Sequence, residues 1–308
     1  MADKKVLIVG TMAFDEVETP AGLSGKTIAG SATYIALAAS FFDVESAIVS
    51  IVGRDFPQDY LKELSKRNIN LKGVEIDNSG DTFYWKGRYH KNLNYRDTLV
   101  TDLNTLANFN PVVPDDFKDS EVALLGNLHP RIQLSVLNQI NITTTTIILD
   151  TMNYWIEGTW DELVQVVAKT DIITINDQEA LQMTNASNVL SAAKKISNMG
   201  PSYVIIKKGE HGALLYHKNQ TFIAPAAVLD NVVDPTGAGD SFAGGLAGFL
   251  ASQPAVDFET IKTAIVYGSS VASFCVTDFG TKAIVNTTLP QIKDRVKHLK
   301  ALVHFEAP

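Results

Sequence analysis

Residues Asp234-Pro235-Thr236-Gly237-Ala238-Gly239-Asp240-Ser241-Phe242-Ala243-Gly244-Gly245 combine a glycine-rich turn, the start of a helix and a carboxylate in that helix's first turn. The first amides of a helix lack partners within it and attract anions. Phosphoryl transfer asks a protein for donors to the charge spreading over the transferred group, and for an acceptor of the attacking hydroxyl's proton. Gly237, Ala238 and Gly239 can supply the donors and Asp240 the acceptor. A turn in which Asp240 merely caps the helix uses the same residue types. It does not require Pro235, Thr236, or the small Gly244 and Gly245 that follow.

Upstream, short β-rich apolar runs recur at residues 6–9, 47–52, 122–125, 146–149, 172–175 and 203–206, each reading as a strand buried on both faces. Helical spacing fills residues 32–42, 58–67, 134–140 and 189–199, and helices at 238–251, 258–275 and 289–303 finish the chain. Alternating strand and helix predicts an α/β fold with a mostly parallel sheet covered on both sides. Residues 81–90 break this pattern: Phe83, Trp85 and Tyr89 alternate with Tyr84, Lys86, Arg88 and His90. That spacing predicts an antiparallel strand outside the main sheet. With the polar stretch from Asp15 to Thr27 it suggests a small β lid over the carboxyl edge, its elements near 11–30 and 81–106. No repeat or low-complexity linker divides the chain, so residues 1–308 read as one domain.

A net charge of -8 argues against a nucleic-acid backbone or an anionic membrane as main partner. The lone Cys275 cannot form an internal disulfide, and Met1-Ala2-Asp3-Lys4-Lys5 leads into an apolar run too short for a signal peptide or a membrane span, which places the protein in the cytoplasm. Gly25-Lys26-Thr27 is no P-loop, because Pro20 stands where its first glycine belongs. No GxGxxG follows the first strand as a dinucleotide-binding fold requires, and neither a zinc cluster nor GxSxG is present.

The run from Asp234 to Gly245 closely resembles the C-terminal signature of the PfkB carbohydrate kinase family, also called ribokinase-like. The resemblance extends by order of segments from Val6 to about Gly280. It implies a three-layer α/β/α sandwich with a β lid, ATP bound near the C-terminal helices, and Mg2+-assisted transfer of the γ-phosphate to an alcohol. Asp240 would be the base, Gly237 to Gly239 the anion hole, and Thr236 part of the nucleotide site.

Asn176 and Glu179 resemble the family's NxxE motif, with Glu179 holding Mg2+ through water and Asn176 near phosphate. The same pair fits a capping box, and both roles can coexist. Lys207 stands where many members carry Thr, within reach of phosphate or solvated at a strand end; Gly209 and Gly212 would let backbone approach ATP. His211 reads as a surface turn residue. Asp15 follows the first strand where members bind sugar hydroxyls. Gly30, Ser31 and Tyr34 fall in the family's GG substrate motif, although Ala29 replaces its first glycine and Tyr34 its usual asparagine.

The implied substrate is a small-molecule ribonucleoside or sugar, with the Gly30-Ser31-Ala32 run reminiscent of the adenosine kinase branch. Pentose or hexose phosphorylation is the alternative, and a catalytically silent nucleotide-binding relative is another. The aromatic face of the lid strand would cover either substrate or a second subunit, the latter making a homodimer through the lid.

Overall fold

The apolar runs pair side by side in a nine-stranded sheet, and a separate four-stranded sheet lies apart from it. The computed structural model describes residues 4–306; residues 1–3 and 307–308, including the start of the N-terminal stretch weighed above, lie outside the described residues. The strands are β1 (Lys5–Val9), β2 (Ala13–Thr19), β3 (Gly22–Ala29), β4 (Glu45–Gly53), β5 (Ile69–Asp77), β6 (Tyr84–Tyr89) and β7 (Arg96–Asp102). They continue as β8 (Val122–Leu125), β9 (Thr146–Asp150), β10 (Ile172–Asn176), β11 (Tyr203–Lys207), β12 (Ala213–His217) and β13 (Gln220–Ala224).

The large sheet runs β13-β12-β11-β10-β9-β8-β1-β4-β5, parallel from β11 to β5 and antiparallel only where β12 and β13 complete the edge. Side chains alternate between its faces. Val6 and Ile8 join a core with the helices Ser31–Ala39, Ala238–Ser252 and Phe258–Cys275, while Leu7 and Val9 join the other with Pro130–Leu137, Trp160–Val167 and Val189–Ser197. This is the ribokinase-like α/β sandwich that the sequence implies. The helix expected over 134–140 begins earlier, because His129 accepts the Arg131 amide at 3.1 Å and Pro130 occupies the first helical position.

Gly244 and Gly248 serve helix packing. A Cβ at Gly244 would stand 2.4 Å from the Ile35 carbonyl oxygen, and one at Gly248 2.7 Å from the Ala39 Cα. The small residues after Asp240 thus bring the Ser31–Ala39 helix close against the helix that presents this carboxylate.

The second sheet, ordered β3-β2-β6-β7, is built from the segments expected to form the lid. One expectation needs correction: β6 is antiparallel only to β7 and runs parallel to β2. Alternation reports burial but not direction, and the chain passes through β4 and β5 before it re-enters the lid. One lid face carries the ion pairs Glu16 to Lys86 (2.7 Å) and Glu18 to Arg88 (2.8 Å). The other buries Asp15, Val17 and Thr19, and the Thr19 hydroxyl donates to the Val233 carbonyl at 2.8 Å, tying the lid to the glycine-rich segment.

Candidate active site

Parallel register places Asn176 beside Lys207 and Thr174 beside Asp150, so these strand ends share the carboxyl edge. There Lys207 Nζ donates to both Asp150 oxygens, at 2.9 and 3.1 Å. The pair is buried, which excludes a solvated strand-end lysine. Burial works against the ammonium, yet Asp150 and Glu179 hold its pKa above the usual lysine value. Lys207 Nζ lies 3.1 Å from the place a Cβ would take at Gly239, beside the expected anion loop. Sequence reasoning missed Asp150; its only signal was a carboxylate directly following the apolar run 146–149.

Gly237 caps the helix Ala238–Ser252 with φ 77°, the left-handed region where glycine is favoured. The Tyr34 ring fills the space where its side chain would be, 2.5 Å from an ideal Cβ. The Ala238 amide already donates to the Pro235 carbonyl at 3.2 Å, so among the residues expected to form an anion hole it is the one engaged within the turn. Thr236 is held by its neighbours: its amide donates to Asp234 Oδ1 at 2.9 Å and its hydroxyl to Tyr89 Oη at 3.2 Å. Tyr89 thereby joins the aromatic lid strand to the loop.

Asp240, in the helix's first turn, keeps part of its surface open. Burial of its carboxylate, reinforced by the charge of Asp150, pushes its pKa up to about 7 against the pull of Lys207 and Arg96. On the lid side, burial raises Asp15 to about 8, with Asp234 and Asp240 adding to the shift and Arg96 opposing it. Asp15 and Asp240 thus belong to one electrostatic neighbourhood.

Asn176 and Glu179 form the capping box in full. The Glu179 amide donates to Asn176 Oδ1 at 2.7 Å, and the Asn176 amide to Glu179 Oε2 at 3.1 Å. Burial lifts Glu179 to about 7, and Lys207 and Asp150 act on it with opposite signs. The cap therefore holds Glu179 within the charge network of the site.

The other expected residues divide. Gly209 lies at the lid, where an added Cβ would meet Asn94 Oδ1 at 3.3 Å, while Gly212 turns the chain against the Ala224 carbonyl. His211 is exposed. Gly30 precedes the Ser31–Ala39 helix, and Ser31 exchanges bonds with Thr11: its hydroxyl accepts the Thr11 amide at 3.0 Å and its amide donates to the Thr11 hydroxyl at 3.0 Å. Both brace the turn after β1. Tyr34 is fully buried, and among the described residues its hydroxyl has no partner. Two surface depressions, one around Thr143 and Tyr203 and one around Gly73 and Val112, share no residue with this site.

Fold and enzyme class agree on a phosphotransferase that acts on an alcohol group. Residues 14–288 match the pfkB family carbohydrate kinase model, and the chain belongs to that family. It is 29% identical over 252 residues to the cytidine kinase of Thermococcus kodakarensis, covering 81% of this chain and 90% of the relative. Its fold superposes on the nucleoside kinase of Methanocaldococcus jannaschii with a TM-score of 0.78 at 20% identity, covering 96% of this chain and 98% of the other. The aminoimidazole riboside kinase of Salmonella enterica, solved with aminoimidazole riboside and an ATP analog, gives a TM-score of 0.75 at 21% identity over 95% of this chain and 100% of the other. Among the described residues no helix is long and apolar enough to cross a membrane.

Proposed function

We propose that this kinase transfers the γ-phosphate of ATP to a hydroxyl of a ribonucleoside or sugar, with Asp240 as general base. One observation carries the reading: a carboxylate poised near neutrality stands in the first turn of the helix opened by Gly237, beside a loop that Lys207 also approaches. A base works best when its pKa lies near the operating pH, so that it is free to accept a proton and strong enough to hold it. The amides of Gly237 and Gly239 face the charge that develops on the phosphoryl group, and Lys207 adds a cation beside them. Thr236 and Gly209 border the nucleotide, and Gly212 shapes the turn that follows.

Among the described residues no group of three or more His, Cys, Asp or Glu side chains could hold a metal alone. Mg2+ keeps waters and takes ligands from substrate phosphates. Glu179 would hold such an ion through water, with Asn176 toward the phosphates. Held there, the ion would supply charge neutralisation to the phosphates. Asp150 keeps Lys207 oriented.

Asp15 on the buried lid face binds acceptor hydroxyls, and Trp85 and Tyr89 cover them from the same sheet. The names of the cytidine, nucleoside and riboside kinase relatives favour a ribonucleoside over a free pentose or hexose. The retained Asp240 speaks for a working enzyme over a silent nucleotide binder acting in the cytoplasm. Purified protein supplied with ATP, Mg2+ and a panel of ribonucleosides, pentoses and hexoses should form ADP and phosphorylated acceptor with at least one ribonucleoside. Thermal protection by ATP with no ADP formed from any acceptor would identify a silent binder.

A further inference from the structure

The run Thr143-Thr144-Thr145-Thr146 takes no part in the candidate active site. Asn141 folds it into a turn: Asn141 Oδ1 accepts the Thr143 hydroxyl at 2.6 Å, and the Asn141 carbonyl accepts the Thr145 amide at 3.2 Å. The turn delivers Thr146 to the start of β9, on the sheet edge where β10 and β11 also begin. A depression of about 230 Å3 opens there, with Thr143, Thr145, Thr146, Asp171, Ser202 and Tyr203 in its lining. It lies at the amino edge, and β10 and β11 run from it to Asn176 and Lys207 at the opposite end.

Thr145 is buried in this lining, and its hydroxyl oxygen is enclosed without a hydrogen-bond partner among the described residues. An enclosed hydroxyl left unpaired weakens the fold, and a bound polar group would satisfy it. At the rim, Asp171 Oδ2 accepts the Ile147 amide at 2.8 Å, which fixes the carboxylate while lone pairs remain on its oxygens. The Tyr203 ring is held by stacking on His217, with centroids 4.2 Å and planes 14° apart.

These groups select a ligand chemistry. Among the described residues that line the depression none is Lys, Arg or His, so a phosphate would meet a carboxylate and no cation. A metal ion would find one carboxylate only. Hydroxyls donate and accept, and a carboxylate accepts from two donors at once, which suits a vicinal diol. The space falls below the roughly 300–1,000 Å3 of drug-sized sites, which favours a ligand no larger than a pentose ring.

We propose that this depression is a second binding site, for a neutral polyol of pentose size that donates a vicinal diol to Asp171 and pairs a hydroxyl with Thr145. A free pentose and the ribose of a nucleoside share that chemistry; their phosphorylated forms are disfavoured. The proposal concerns binding alone and stands apart from the phosphotransfer reading.

The test titrates the full-length protein, carrying isotope-labelled threonine methyl groups, with D-ribose, cytidine and ribose 5-phosphate. In NMR spectra the Thr143, Thr145 and Thr146 methyl signals should shift with D-ribose, giving a Kd on the order of millimolar, while Thr236 reports separately on the active site. Cytidine moving the same signals would extend the site to nucleosides; cytidine without effect there would restrict it to the free pentose. Ribose 5-phosphate should bind at least about tenfold more weakly. Thr145→Val keeps the side-chain shape, and Asp171→Asn keeps an acceptor for the Ile147 amide; each should lose about tenfold or more in ribose affinity, read on Thr143 and Thr146. The Tm of Thr145→Val should not fall, because the substitution removes an unpaired buried hydroxyl. Threonine signals at 143–146 that stay still at about 100 mM ribose, equal affinity for ribose 5-phosphate, or wild-type affinity in both variants would each overturn the site.

Discussion

Lys207 bonds both oxygens of Asp150 at 2.9 and 3.1 Å while its ammonium flanks Gly239, so one side chain links the end of β9 to the loop before Asp240. The two side chains are 17% and 7% exposed, which makes the pair costly to break from one side. Lys207→Met strands the Asp150 carboxylate and should destabilise the fold by about 3 kcal/mol in urea unfolding. Adding Asp150→Asn should recover much of that loss. A single variant as stable as the wild type would show that the pair contributes nothing to stability.

Asp240→Asn keeps the shape of the carboxylate and removes its proton affinity. Its kcat should fall on the order of a hundredfold or more. The acid limb of the wild-type kcat/KM profile should lie near pH 7, where Asp240 gives up its proton. Near wild-type turnover in the Asn variant would assign the base to another group.

Stability should fall as pH rises through neutrality. Burial raises Asp15 to about 8 and Asp240 to about 7 from an ordinary 3.8, and Glu179 to about 7 from 4.5. Between the unfolded and folded values the native chain binds more protons than the unfolded one, so the free energy of unfolding declines with pH across that window. The ligand-free Tm should be lower at about pH 8.5 than at about pH 6, and Asp15→Asn should flatten the difference. A Tm that climbs over this range would contradict burial as the dominant influence on these carboxylates.

Gly237→Ala meets two obstacles, a φ of 77° and the Tyr34 ring 2.5 Å from the new Cβ. The substitution should destabilise by about 1–3 kcal/mol and reduce turnover. Tyr34→Ala in the same chain removes the collision and leaves the backbone strain. Thermal unfolding of the four proteins in the cycle should therefore give a double-variant loss smaller than the sum of the single losses. Additive losses would show that the ring and the loop do not press on each other.

Glu179→Gln retains an oxygen able to accept the Asn176 amide, so stability should change by less than about 1 kcal/mol. The neutral amide is a poorer partner for Mg2+ or its waters, and the Mg2+ concentration for half-maximal activity should rise. An unchanged Mg2+ requirement would leave Glu179 with its cap alone.

The runs at 6–9 and 172–175 reveal buried parallel strands because a two-sided core demands continuous apolar residues, and that demand is written locally. Asp234 to Asp240 is legible for the same reason: a left-handed turn, a helix start and a carboxylate depend on neighbours along the chain. Asn176 and Glu179, three residues apart, disclosed their cap.

Asp150 was not legible, since its partner lies 57 residues away and only the order β11-β10-β9 brings the two together. The direction of β6 and the packing role of Gly244 were hidden in the same way. Periodicity and turn preference act over a few residues. Charge pairing, close helix contacts and raised carboxylate pKa values arise when distant segments enclose one another and exclude water, so tertiary structure alone decided them.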